Sequence, residues 1–126
     1  MALRAREAGV GAVPGEVVPV PLHRRRMAAR GFNQAELLAR VVAEALSLPL
    51  RTDRLRRIRE TRAQASLPGR LRREGPLGAF RAEGDLSGAR VLLVDDVLTT
   101  GTTASECARV LREAGAERVY VIVFAR

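Results

Sequence analysis

The sequence predicts an α/β protein built on a parallel sheet, and three observations carry that expectation. Val91-Leu92-Leu93-Val94 is a compact apolar run of the kind a parallel sheet buries on both faces, and it stops abruptly at Asp95-Asp96. Val119 to Phe124 is a second such run. Between them lies a helical pattern: Thr103 as N-cap with Glu106 three residues on, then Ala104, Cys107, Ala108, Leu111 and Ala114 as an inward stripe before Gly115. Strand, helix and strand in so short a stretch make a βαβ unit, for which a right-handed crossover is the rule.

The remaining elements follow in order. Residues 1–16, with Gly9, Gly11, Pro14 and Gly15, form a lead-in with at most a short helix over residues 2–8. Val17 to Leu22 reads as a strand, but Pro19 and Pro21 each remove a ladder donor and place it at an edge or let it end early. His23-Arg24-Arg25-Arg26-Met27-Ala28-Ala29-Arg30-Gly31 is a basic loop. A helix then starts at Asn33 as N-cap, with Glu36 completing a capping box and Phe32 packing on Leu37 as a hydrophobic staple. Leu37, Leu38, Val41, Val42, Ala45 and Leu46 give it one apolar stripe, which stops before Pro49.

Residues 51–73 hold nine arginines against Asp53 and Glu60, close to the whole excess of the chain. Part of Leu50 to Ile58 is compatible with a strand, whereas Thr61 to Arg73 has no sustained period and contains Pro68 and Gly69, as a long basic loop would. A short strand is expected around Phe80 and a turn over Gly84 to Gly88. The organisation is therefore a lead-in over 1–16 and one small domain over 17–126, with a flexible basic loop at about 59–78.

Composition excludes several chemistries. All 22 basic residues are arginine, so no Walker-type phosphate lysine, Schiff-base lysine or Ser–Lys pair can be built. With one cysteine and one histidine in 126 residues, an intrachain disulfide, a zinc cluster and a two-histidine metal site are excluded within one chain. The net charge of +8 points to anionic partners: nucleic acid, phosphorylated metabolites and, last, a membrane surface. No apolar run reaches the roughly 18 residues that span a bilayer, and the start lacks the apolar stretch of a secretion signal, so a soluble cytoplasmic protein is expected.

The segment Val91 to Thr103 carries the chemistry. In an open parallel sheet, ligands sit beyond the carboxyl ends of the strands, where Asp95 and Asp96 stand. Thr99, Thr100, Thr102 and Thr103 surround Gly101 and lead into a helix N-terminus, whose free N–H groups attract an anion. An anion cradle beside two acids suits a phosphorylated sugar: the loop takes the phosphate and the carboxylates accept from ribose hydroxyls. The same acids would stabilise positive charge on the sugar as a leaving group departs. A receiver domain is rejected, because it needs a lysine that the chain lacks. His23 reads as a surface residue, Cys107 as core, and Phe32 and Phe80 as packing. Aromatics at 3% are poor material for stacking on single strands.

At these residues the sequence resembles the type I phosphoribosyltransferases, whose signature is a hydrophobic strand, two acids and a Thr/Gly loop for phosphoribosyl diphosphate. Val18-Pro19-Val20-Pro21-Leu22-His23, Arg30-Gly31-Phe32-Asn33-Gln34, Thr61 with Gln64, and Gly78-Ala79-Phe80 narrow the resemblance to the ComF competence-protein family. The resemblance implies a Rossmann-like, three-layer fold and a transferase that releases diphosphate as a nitrogen acceptor takes the phosphoribosyl group. It implies Asp95 and Asp96 as the catalytic pair on the ribose hydroxyls, and Thr99, Thr100, Gly101, Thr102 and Thr103 on the 5′-phosphate. It also implies Arg24, Arg25, Arg26, Arg30 and Gly31 on the diphosphate, and Arg62, Gln64 and Arg70 in a loop that closes over the site. Mg2+ is expected on the substrate diphosphate with no direct protein ligand, and a homodimer is expected.

Two departures qualify the transfer. Members of the family usually carry an N-terminal zinc-binding cysteine segment, which this chain lacks, so a shortened form or a separate partner is expected. Thr99 stands where the purine-salvage branch places an aspartate, which argues against hypoxanthine–guanine chemistry. Two other readings stay open beside the enzyme. One is a non-catalytic module that binds phosphoribosyl diphosphate in DNA uptake alongside competence proteins. The other is a basic adaptor for single-stranded DNA that works through its arginines.

Overall fold

A computed structural model describes residues 13–22, 31, 33–58, 78–96 and 102–124. The lead-in helix over residues 2–8, the basic loop over 23–30 and the loop over 59–77 lie outside them. The described elements are β1 (Glu16–Pro19), α1 (Gln34–Leu46), β2 (Leu55–Arg57), β3 (Phe80–Ala82), β4 (Arg90–Asp95), α2 (Thr102–Glu113) and β5 (Arg118–Val123).

β4 is the centre of the fold. It pairs in parallel with β1 on one side and β5 on the other, with Val18 opposite Leu93 and Leu93 opposite Val121. Alternation along the strands then divides the core in two. Val17, Leu92, Val94, Tyr120 and Ile122 face α1, while Val18, Val20, Val91 and Leu93 face α2 and the β2–β3 ribbon. The molecule is thus three layers: α1, the parallel sheet, and α2 with the antiparallel ribbon.

β1 is shorter than the sequence suggests, ending at Pro19 instead of Leu22. Val20 N–H still donates to Val94 at 2.9 Å, and Pro21 has no donor with which to continue. The other side of β1 is covered by the chain leaving α1. Val17 N–H donates to Pro49 at 2.9 Å and its carbonyl accepts from Arg51 at 2.8 Å.

Asn33 caps α1 as expected, its side-chain oxygen accepting from Ala35 N–H at 3.0 Å. Its Nδ2 also donates to the Val20 carbonyl at 3.1 Å, tying the helix start to the end of β1. Glu36 does not close a capping box; its carboxylate meets Arg40 one turn on at 3.3 Å. Phe32, the proposed staple, lies outside the described residues.

The buried stripe of α1 differs from the one read off the sequence. Leu37, Val41 and Leu46 are exposed, and Ala35, Ala39, Val42 and Ala43 face the sheet. The physical reason lies opposite: Leu92, Tyr120, Ile122 and Phe124 are large and fill the interlayer space, so the helix approaches through its alanines. Val41→Ala is therefore expected to change stability by about 0.5 kcal/mol or less, whereas Val42→Ala should cost about 1–3 kcal/mol, as urea midpoints will show.

In α2 the stripe is as expected: Cys107 and Leu111 are fully buried, and Ala104 and Ala108 are buried beside them. Its start is not. The helix already includes Thr102, so Thr103 is inside the first turn and Glu106 serves another purpose. Gly115 ends the helix in the left-handed region at φ 110°, and a β-carbon there would lie 3.2 Å from the Ser87 backbone.

Candidate functional site

The carboxyl end of the sheet presents Asp95 as the last residue of β4 and Asp96 as the first beyond it. Asp95 is buried and Asp96 half-buried. One Asp95 carboxylate oxygen accepts from Asp96 N–H at 2.9 Å, which fixes the turn out of the strand. Burial, and then the neighbouring Asp96 carboxyl, push the Asp95 carboxyl up to about 6, while the Arg57 guanidinium works in the opposite direction. At neutral pH this is a carboxylate held at a cost to the folded state.

α2 begins at Thr102, six residues after Asp96 in the chain. Thr99, Thr100 and Gly101, expected on the phosphate, fall outside the described residues, whereas Thr102 and Thr103 lie in the first turn of α2. Gly31, at the end of the basic loop, has φ 79°, a conformation that suits glycine. Arg24, Arg25, Arg26, Arg30, Arg62, Gln64 and Arg70 lie outside the described residues.

Three features of the structure were not legible in the sequence. The buried Glu106 accepts from Gly78 N–H at 3.0 Å and pairs with Arg109 at 2.6 Å, and both contacts hold its carboxyl below the usual range. Gly78 precedes β3, so this carboxylate fastens the ribbon to the helix behind the acid pair. Arg57, on β2, lies 4.9 Å over the Phe80 ring, and its positive charge lowers the Asp95 carboxyl slightly. Its place in an arginine-rich run hid it, because nothing local distinguishes it from Arg56 or Arg59. The third feature lies at the opposite end of the sheet: buried Glu16 receives Arg54 at 3.3 Å and Arg51 at 3.7 Å. Two arginines of the basic run therefore hold the scaffold.

The Cys107 thiol is fully buried between α2 and the sheet, and burial pushes its ionisation well above the ordinary thiol range. Among the described residues no group of three or more His, Cys, Asp or Glu converges to hold a metal ion. Among them, too, no helix is long and apolar enough to cross a membrane.

Comparison with known proteins places this geometry. The phosphoribosyl transferase domain matches over residues 30–126. The DNA utilization protein YhgH of Salmonella typhi is 40% identical over 119 residues, covering 94% of this chain and 52% of that protein. Competence protein F of Haemophilus influenzae is 36% identical over 117 residues, covering 90% and 51%. Competence protein ComFC of Bacillus subtilis is 35% identical over 99 residues, covering 79% and 39%. The chain thus spans about half the length of the first two relatives, and less of the third. Among solved structures, the allosteric regulatory enzyme of purine biosynthesis superposes with a TM-score of 0.61 at 28% identity, over 90% of this chain and 22% of that one. Because the family match takes in α1, the ribbon and the whole β4–α2–β5 unit, the chain belongs to the phosphoribosyl transferase domain family, in its competence protein F branch.

Proposed function

We propose that the chain binds phosphoribosyl diphosphate and transfers its phosphoribosyl group to a nitrogen acceptor, releasing diphosphate. The observation that supports this most directly is the buried Asp95 beside Asp96 at the carboxyl end of the central strand, followed by the N-terminus of α2. Asp95 and Asp96 accept the ribose hydroxyls, and the loop from Thr99 to Thr103 takes the 5′-phosphate through amides, hydroxyls and the helix dipole. In the transfer, the acceptor nitrogen's lone pair bonds to the anomeric carbon. The carbon–oxygen bond to diphosphate breaks with its electron pair leaving on the diphosphate, and the acceptor gives up a proton. The acid pair stabilises the positive charge that builds on the sugar meanwhile.

Among the described residues two carboxylates are too few for an all-protein cation cage, which fits a magnesium ion carried on the diphosphate and held by substrate oxygens and water. When bound, the ion neutralises diphosphate charge. The loop arginines Arg24, Arg25, Arg26 and Arg30 are suited to forked contacts with the remaining phosphate oxygens.

Calorimetric titration with phosphoribosyl diphosphate and magnesium tests the reading. Wild type is expected to bind, and Asp96→Asn to bind about 10-fold to 100-fold more weakly, the worth of a charged hydrogen bond to a hydroxyl. Equal binding by the variant would remove Asp96 from the role.

A second reading is favoured by the names of the relatives, competence protein F and DNA utilization protein, together with the charge of +8. In it the chain serves DNA uptake, either as a binding module for the nucleotide precursor without turnover or through single-stranded DNA. Affinity for a single strand that falls steeply with salt and survives Asp95→Asn would support the DNA role.

A further inference from the structure

The central sheet covers one of its edges and, among the described residues, leaves the other bare. Beside β1 the chain leaving α1 supplies the cover: Leu50 bridges Val17, whose N–H and carbonyl are taken by Pro49 and Arg51. Beyond β5 no strand lies among the described residues. Arg118 N–H donates to Ala89 at 3.3 Å and Phe124 N–H to Asp95 at 3.4 Å, so the alternation of a strand turns the backbone groups of Tyr120 and Ile122 to β4 as well. The N–H and carbonyl groups of Val119, Val121 and Val123 therefore point the other way, along the bare edge.

Exposed edges are ordinarily blunted by proline, a charged side chain or a bulge. From Val119 to Phe124 β5 has neither proline nor charge, every residue is β-branched or aromatic, and the register with β4 runs unbroken from Arg118 to Val123. In a chain of net charge +8, an uncharged stretch of this kind on an open ladder is a pairing surface. Toward α2 the side chains of Val119, Val121 and Val123 are only half-buried, whereas Tyr120 and Ile122 on the other face are buried.

We propose that β5 pairs antiparallel with β5 of a second copy about a two-fold axis through Val121, joining two sheets into one. The sequence is complementary to itself in this register. Val121 meets Val121 of the second copy and Val119 meets Val123, each opposed pair exchanging both of its backbone bonds. Tyr120 then stands opposite Ile122 and Arg118 opposite Phe124, so no like charges face one another. The half-buried valines become cross-strand neighbours and cover each other, as an isologous contact requires. The two copies of β4 run in opposite directions, so the acid pairs lie at opposite ends of the joined sheet and both stay open. The resemblance implies a homodimer without naming a surface; this surface stands or falls independently of the transferase reading.

Sedimentation and amide hydrogen exchange on the unmodified chain test the pairing. Over about a 100-fold rise in concentration the sedimenting mass should double. Over the same range the N–H groups of Val119, Val121 and Val123 should slow in exchange by at least about 10-fold, while those of Tyr120 and Ile122, already bonded to β4, change less. Val121→Pro removes the central outward donor and no bond to β4, at the kind of position where an edge strand tolerates proline, and should weaken the dimer at least about 10-fold. Thermal unfolding checks that this variant folds; if it does not, the exchange pattern decides alone. The proposal is overturned if the chain stays monomeric, or if a dimer forms while exchange at the valines is unchanged. It is equally overturned if those valines are protected in the monomer, which would give the edge to another segment of the same chain, or if folded Val121→Pro dimerises as wild type does.

Discussion

Asp95→Asn is expected to melt on the order of 5 °C above wild type at pH 7.5, and to have lost its affinity for phosphoribosyl diphosphate. The gain in stability comes from removing a buried charge. The Asp95 carboxyl sits at about 6 in the folded protein against 3.8 ordinarily, so the unfolded chain gives up this proton more readily than the native one. An acid raised in this way destabilises the native state at every pH above about 6. The cost fades as pH falls through 6 and is gone below 3.8, where both states hold the proton. A carboxyl displaced that far carries a cost of no more than roughly 3 kcal/mol, and local relaxation brings the gain from a neutral amide to about 1–3 kcal/mol.

The amide keeps an oxygen for Asp96 N–H, so the turn need not change. Thermal unfolding of both proteins at pH 4 and pH 7.5 checks the result: the two should converge at the acid end and separate at the neutral one. A variant less stable than wild type at pH 7.5 would mean that the Asp95 charge is well solvated by its surroundings. For the same reason, wild-type affinity for the sugar phosphate should weaken below pH 6, as the protonated carboxyl ceases to accept.

Leu111→Ala should cost about 2–5 kcal/mol, a large part of the roughly 5–15 kcal/mol that holds a domain of this size together. Leu111 is fully buried in the layer between α2 and the sheet, with Leu93, Val91 and Leu86 in the same cluster. Those neighbours are themselves fully buried, so the cavity would collapse only partly. A urea midpoint that falls with unchanged slope is the expected signature. Because Thr102 and Thr103, proposed to hold the 5′-phosphate, lie in the first turn of α2, the same variant should bind phosphoribosyl diphosphate more weakly near its melting temperature. A loss under about 1 kcal/mol would mean that α2 is not seated as described.

The parts of the fold that were legible in the sequence are those that a single segment determines. Val91 to Val94 could be read as a buried strand because a strand covered on both faces has no polar residue to spare, and α2 because Val110 is the one apolar position off its stripe. α1 was legible as a helix but not in its facing. Leu37/Val41 and Leu38/Val42 offer two overlapping stripes, and the choice is made by Tyr120, Ile122 and Phe124, nearly eighty residues away. Glu106 illustrates a different limit. Its spacing from Thr103 fits a capping box, yet its carboxylate is claimed by Gly78 and Arg109, one of them a contact across the fold. At the candidate site, the placement of Asp95 and Asp96 at the carboxyl end of β4 was legible because the apolar run stops at them. Arg57 was not, since its meaning depends on Phe80 lying beneath it.

The position of Cys107 has a practical consequence for following this molecule. It is the single thiol in 126 residues, it has no exposed surface, and its burial suppresses the thiolate that alkylating reagents require. A maleimide or iodoacetamide can therefore reach it only when α2 lifts from the sheet. The rate of labelling in native buffer becomes a clock for that opening, and any compound that binds at the start of α2 should slow the clock without needing to be turned over.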